Sequence, residues 1–342
     1  MKKSIFFSIF LFSCLALTAQ IKTAVYWTAP TMSADDANKL AKDQLVIVDY
    51  ENIANNWQHT KKIKSLNDKA KLLIYSNTME IWTSGQVPHR PMANKLWHEL
   101  PLEYRLKNKN RKPVIFWKDM QVMNITRNCP RVKGKNYNEY YREWLLKNAL
   151  PDSLDRDIDG YFQDNGNSTI SWVDPGIDSD NNGEADNPRV LDAAWQSGMI
   201  DFLTKIREAK GKDFIIVTNK GEKNLFFLNN GVMFEKFPND YLGDHRAGGW
   251  YRCMEIAEAA GPYTIFQVDW EDLEFGIASS LLLDNVYIAV GQNVQIPEKY
   301  RVPTGKPLGK QYKKGNLYCR DYELVTIEVN PEKRTGRLLV PR

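Results

Sequence analysis

Two acidic side chains stand out because each closes a short run that is otherwise mostly uncharged and apolar: Asp164 ends Gly160-Tyr161-Phe162-Gln163, and Glu235 ends Gly231-Val232-Met233-Phe234. Two carboxyl groups brought together from separate strands can divide acid and base work. One protonates a leaving oxygen while the other attacks the adjoining carbon or activates water, which is the chemistry that breaks a bond between sugars. Their roles would follow from unequal surroundings. Each acid also has a structural alternative: Asp164 could cap the next helix or hold the adjacent loop, and Glu235 could pair with a nearby Arg or Lys. Asp159, at the start of its strand, is expected to be a structural hydrogen-bonding residue.

Residues so far apart in the chain meet only if the fold carries them to one end of a sheet. Short β-type runs occur at residues 23–27, 45–50, 71–75, 158–164, 213–219, 231–235, 263–268 and 286–290. Helical patterns fall between many of them: one opened by Ser33 as N-cap, then 57–69, 137–150, 191–209, 250–260 and 273–283. Eight largely apolar strands alternating with helices are what a parallel sheet buried on both faces requires. The count favours a closed (β/α)8 TIM barrel over an open doubly wound sheet. No glycine-rich phosphate turn follows the first strand, which weakens a nucleotide-binding reading. In the long segment before 158–164, residues 103–106 and 113–117 flank a turn-like Asn108-Lys109-Asn110, suggesting a hairpin above the barrel; 113–117 is also a rival for the fourth strand. Residues 317–320, 323–329 and 337–340 read as a small C-terminal all-β domain. The expected organisation is a leader over 1–19, the barrel over 20–295 and the β appendage over 296–342.

Strand C-termini converge on one face of such a barrel. Tyr26, Trp27, Asp49, Tyr75, Asn219, Asp269 and Trp270 are therefore expected to line subsites around Asp164 and Glu235, with Gln292 at the same level. Acids ringed by aromatics suit a neutral polyol better than a phosphate, which wants Lys, Arg or bare backbone donors at a helix start. Trp117 and Trp172 could stack on sugar faces, whereas Trp57, Trp97 and Trp144 look like helix-face packing. His59, His89 and His98 show no metal spacing. His245, beside Asp244 and shortly after Glu235, could reach the site.

The run Asp159-Gly160-Tyr161-Phe162-Gln163-Asp164-Asn165 resembles the Asp-Gly-(Val/Ile/Tyr)-Phe-x-Asp-(Asp/Asn) strand of secreted bacterial glycoside-hydrolase-like (β/α)8 barrels, which are distantly similar to endo-α-1,4-polygalactosaminidases and α-galactosidases. Further resemblance lies in Tyr141-Arg142-Glu143-Trp144-Leu145, in residues 231–237 around Glu235, and in Gly305-Lys306-Pro307-Leu308-Gly309, so it covers most of the chain. It implies Asp164 as nucleophile or electrostatic partner and Glu235 as acid/base. Gln163 departs from the pattern, since such strands often carry an apolar residue there.

A net charge of +4 from 46 basic and 42 acidic residues argues against a nucleic-acid partner, which needs a concentrated basic surface. Lys2 and Lys3, the apolar stretch to Leu17 and the small Thr18-Ala19 read as a cleaved Sec leader, too short to span a bilayer. Bulky Phe12 ahead of Cys14 makes a lipoprotein the weaker reading. The mature chain is thus expected to be secreted or periplasmic, without a membrane span, and a monomer. Cys129, Cys253 and Cys319 form neither a disulfide framework nor a metal cluster, although one bridge is open to them. Asp178, Asp180, Asn182, Glu184 and Asp186 alternate around Gly183 with the spacing of a Ca2+ loop, although Arg189 replaces the final bidentate acid. Its expected role is structural, stiffening the excursion after Asp164.

The expectation from sequence is a secreted glycoside hydrolase acting on a poly- or oligosaccharide. The alternatives are a non-catalytic carbohydrate-binding barrel and a structural surface protein.

Overall fold

Alternate residues of eight parallel strands fill one interior, and the helix layer covers their other face. The structure, a computed structural model, describes residues 20–220, 223–239 and 247–340. The chain runs through β1 (Ala24–Trp27), α1 (Ala34–Leu40), β2 (Leu45–Asp49), α2 (Glu51–Leu66), β3 (Lys71–Asn77), α3 (Pro91–Glu99), α4 (Tyr137–Asn148), β4 (Gly160–Asp164), α5 (Pro188–Lys210), β5 (Ile215–Asn219), β6 (Gly231–Phe234), α6 (Ala247–Ala259), β7 (Thr264–Val268), α7 (Leu273–Leu281) and β8 (Val286–Val290). Strand order follows the sequence, every pair is parallel, and the ring closes where Thr23 bridges Ile288. The expected TIM barrel is present. Ser33 caps α1 and, with Asp36, completes a capping box.

The interior is packed by Leu45, Ile47, Leu73, Phe162, Val217 and Met233, all essentially buried. Side chains alternate along a strand, so the next residues on the same face are Asp49, Tyr75, Asp164, Asn219 and Glu235. The barrel thus presents polar groups above apolar layers because its inward positions change character at the C-terminal end of each strand. Burying each large apolar side chain contributes roughly 1.5–3 kcal/mol, so the layers beneath the polar groups form a stiff floor. Both acid-bearing strands begin with glycine for a steric reason. A Cβ on Gly160 would lie 2.3 Å from the Ile215 carbonyl oxygen, and one on Gly231 would lie 2.2 Å from the Tyr263 carbonyl.

Gln163 faces the helix layer, where its carbonyl accepts from Thr78 and Tyr161 hydroxyls. A polar residue is accommodated there because both of its buried neighbours supply donors.

Residues 113–117 are not the fourth barrel strand, which is Gly160–Asp164 between β3 and β5. They form the hairpin, with Val114 N–H donating to Leu106 O at 3.0 Å. Glu80–Trp82 pairs antiparallel with Met120–Val122 nearby. This insertion between β3 and β4 stands over the barrel mouth.

Beyond β8, β9 (Tyr312–Lys314), β10 (Leu317–Asp321), β11 (Thr326–Asn330) and β12 (Thr335–Leu339) form one antiparallel sheet. Its Tyr322, Val325, Ile327 and Val329 share a core with Phe275, Ile277 and Leu281 of α7. Cys129, Cys253 and Cys319 are buried and form no disulfide. Among the described residues no helix is long and apolar enough to cross a membrane. The leader, Asp244 and His245 lie outside the described residues.

Candidate active site

Acids from the ends of β4 and β6 meet at one amide carried by β5. Asn219 Nδ2 donates to Asp164 Oδ1 at 2.8 Å and to Glu235 Oε2 at 3.1 Å. Those two oxygens can be no further apart than the sum of the distances, about 5.9 Å. With the two N–H bonds of an amide roughly 120° apart, the separation is about 5 Å. The second oxygen of Asp164 accepts from the Tyr75 hydroxyl at 2.6 Å, and Oδ1 also accepts from Asn165 N–H at 2.8 Å. Burial and the charge of Asp164 push the Tyr75 phenol well up, so it remains a donor. Glu235 sits in a different environment. Loss of water raises its pKa; the Asn219 hydrogen bond pulls it down, Asp164 pushes it up, Lys236 lowers it and Asp269 adds a smaller upward push. A carboxyl held high beside one fixed by donors is the asymmetry that separates an acid from a nucleophile.

The backbone turns sharply after each of these groups. Asn165, Lys220 and Lys236 have φ of 52°, 95° and 57°. Asparagine tolerates this left-handed region, but lysine is rarely found there. The turn after Glu235 is pinned by the neighbouring strand, since Gln267 Oε1 accepts Lys236 N–H at 2.8 Å. Backbone strain held in place by surrounding structure is a feature of functional sites.

Above the acids lies a cavity of about 370 Å³, bordered by Tyr26, Asp49, Tyr75, Asp164, Glu235 and Gln292 from the barrel. The insertion contributes Glu80, Trp82, Arg90 and Trp117. Glu80 is 2% exposed. It accepts Asn165 Nδ2 at 2.7 Å, Asn77 Nδ2 at 3.1 Å and Trp117 N–H at 3.2 Å. Burial pushes its carboxyl up to about 7; the three donors pull it down, and the Asp164 charge opposes them.

Asp49 borders the cavity, but its oxygens are already engaged. Arg90 Nη1 lies 2.8 Å from Oδ2, and Glu51 N–H donates to Oδ1 at 2.9 Å. Its position is that expected of a substrate ligand, and its buried carboxylate is also half of an ion pair with the partly buried Arg90. Arg90 also stands over the Trp82 ring, 5.5 Å from its centroid. Glu51 in turn caps α3 by accepting Met92 and Ala93 N–H at 3.0 and 2.7 Å, which fixes where Arg90 begins.

Of the other expected subsite residues, Asn219 lies between the acids, and Asp269 is close enough for its charge to act on Glu235. Trp27 and Trp270 are not among the cavity's lining residues. The Trp27 indole donates to Thr31 O at 3.3 Å while its ring packs toward the helix layer, and Trp270 opens a 3-10 turn with half its surface in solvent. Asn77, Glu80, Arg90 and Asn165 were not anticipated as site residues. Asn77 could have been, because it continues the inward series Leu73, Tyr75. Asp159 is structural, held by Lys64 and Lys71 at 2.8 and 3.2 Å.

The acidic loop after β4 is braced by its own amides. Asp178 accepts Asn182 and Gly183 N–H, Asn182 accepts Glu184 N–H, and Asp186 accepts Ser179 N–H. Its oxygens suit a hard cation chemically. Among the described residues no three His, Cys, Asp or Glu side chains are grouped to hold a metal.

Among solved structures, a noncanonic maltogenic α-amylase from Thermotoga neapolitana is similar in fold, with a TM-score of 0.50 and 10% identity over 91% of this chain and 86% of that one. A GH31 dextranase from Flavobacterium johnsoniae complexed with glucose gives a TM-score of 0.52 and 11% identity over 83% of this chain, which spans 38% of the dextranase chain. These likenesses bear on the fold. No curated protein matches the sequence. Residues 64–325, most of the barrel and the start of the appendage, match the profile of hypothetical glycosyl hydrolase family 15, and the chain belongs to that family.

Proposed function

We propose that the protein hydrolyses glycosidic bonds in a poly- or oligosaccharide with retention of anomeric configuration. Asp164 attacks the anomeric carbon while Glu235 protonates the departing glycosidic oxygen, leaving a sugar esterified to Asp164. Water then attacks the anomeric carbon as Glu235 takes its proton; a new bond forms from that carbon to the water oxygen, the ester bond to Asp164 breaks, and the second sugar leaves with Asp164 again a carboxylate and Glu235 again protonated. Asn219 and Tyr75 hold Asp164 in place, and the desolvated Glu235 suits the acid step. The observation that carries this reading is the single Asn219 amide between the acids. A gap near 5 Å suits direct attack, whereas an inverting pair stands roughly 6.5–9.5 Å apart to admit a water. The basic and then apolar N-terminus supports export of the mature chain.

The test is a polysaccharide panel with reducing-end detection, followed by NMR of the first product anomer. Asp164→Asn and Glu235→Gln should abolish release while leaving sugar binding intact, and the initial product should keep the substrate's configuration. An inverted product would overturn the retaining mechanism. A wild type that binds sugar but releases none would be a binding barrel, and one without sugar affinity a structural protein.

A further inference from the structure

We infer that Trp117 and Trp172, joined through Phe116, form an outer sugar-binding subsite, so that the preferred substrate is a glycan chain reaching well beyond the cavity. This rests on reading the cavity as a glycosidase site.

Trp117 and Trp172 are 60% and 52% exposed, and Ile115 beside them is 44% exposed. A single exposed ring is ordinary, but contiguous exposed rings need an occupant. Phe116 meets both edge-on, with its centroid 5.3 Å from Trp117 and 5.0 Å from Trp172. The indoles are therefore no more than about 10 Å apart, a span that a short run of sugars covers.

The rings are also held before anything binds. The Trp172 indole N–H donates to Thr169 O at 3.1 Å, and its loop is tied down by Asp192, which accepts Ile170 and Ser171 N–H at 2.9 Å. Trp117 is anchored through its backbone to Glu80. Aromatic faces fixed in advance can stack on a ligand with little loss of side-chain freedom. Continuity with the site identifies the occupant. Trp117 borders the cavity that holds the acids, so a chain threaded past Glu235 and Asp164 runs onto this surface. A sugar ring presents an apolar face to stack and hydroxyls that stay in water, which suits aromatics more than half exposed.

The test uses soluble α- and β-glucans, galactans and amino-sugar polymers, with their oligomers graded by length. For Trp172→Ala, cleavage of the shortest substrate should be unchanged, while KM for the polymer rises roughly threefold to tenfold at constant kcat. Trp172→Phe should fall between the two, and both variants should melt with the wild type. Binding of the same oligomers to Asp164→Asn, with and without Trp172→Ala, reads the subsite without turnover. Trp172-dependent binding in a protein that cleaves nothing would sustain the subsite while removing the catalytic reading. Equal loss at every length, or none at any length, would overturn the subsite even if cleavage is confirmed, and a wild type that binds no glycan would overturn both.

Discussion

Replacing Glu80 by Gln tests whether this carboxyl titrates inside the site. Its folded pKa is pushed from 4.5 to about 7, chiefly by burial. At 1.36 kcal/mol per unit, that shift corresponds to about 3 kcal/mol. The folded pKa lies above the unfolded value, so the contribution is fully present below pH 4.5 and is lost as pH rises through about 7. Gln carries no proton to titrate, but its amide sets two N–H donors among three others and costs about 1–3 kcal/mol at every pH. The informative quantity is the difference in unfolding free energy between wild type and Glu80→Gln, measured by urea titration at several pH values from 4.5 to about 8. That difference should shrink by about 3 kcal/mol across the range, in favour of the variant at high pH. Glu51, also pushed up to about 7, is present in both proteins and cancels. A difference that stays flat with pH, or grows, would refute the account of Glu80.

Asn219→Ala removes the donor shared by both acids. Hydrogen bonds to charged groups contribute about 1.5–3 kcal/mol, so kcat should fall roughly 10- to 100-fold. Loss of this downward pull should also move the basic limb of the kcat/KM profile to higher pH, since on the proposed mechanism that limb reports the proton on Glu235. Arg90→Met leaves Asp49 buried without its cation and should cost about 3–5 kcal/mol in urea unfolding, with much of the loss regained when Asp49 is also made apolar. Ca2+ at the Asp178–Asp186 loop is a proposal read by melting. At a hundredfold excess over Kd it would add about 2.7 kcal/mol, or a few degrees in Tm. A Tm unmoved by chelator would sink it.

The barrel was legible because a buried parallel strand needs a short apolar run, and eight such runs recur with helical spacing between them. Asp164 and Glu235 were legible because an acid ending such a run must sit at the barrel mouth. Asp49 satisfies the same rule yet proves to be half of an ion pair. Its partner Arg90 belongs to the insertion, whose placement depends on Glu51 capping α3 rather than on any local pattern. Glu80 was hidden for the same reason, since it reaches Asp164 only through Asn165 and through the folding of the insertion over β3 and β4. Trp27 and Trp270 lie at strand ends as expected. Position along a strand does not say which way a ring beyond the last inward residue will turn.

The division of labour between staves and insertion has an engineering consequence. Glu80, Trp82, Arg90 and Trp117 all arrive in one continuous stretch, while Asp164 and Glu235 arrive on the staves. Polar seams that join the two parts include Glu80 to Asn165 and Arg90 to Asp49. On the proposed hydrolase reading, a graft that exchanges the stretch but reproduces those seams should redirect which sugar is accepted while leaving Asp164 and Glu235 in place; one that ignores them leaves a buried carboxylate stranded at the join.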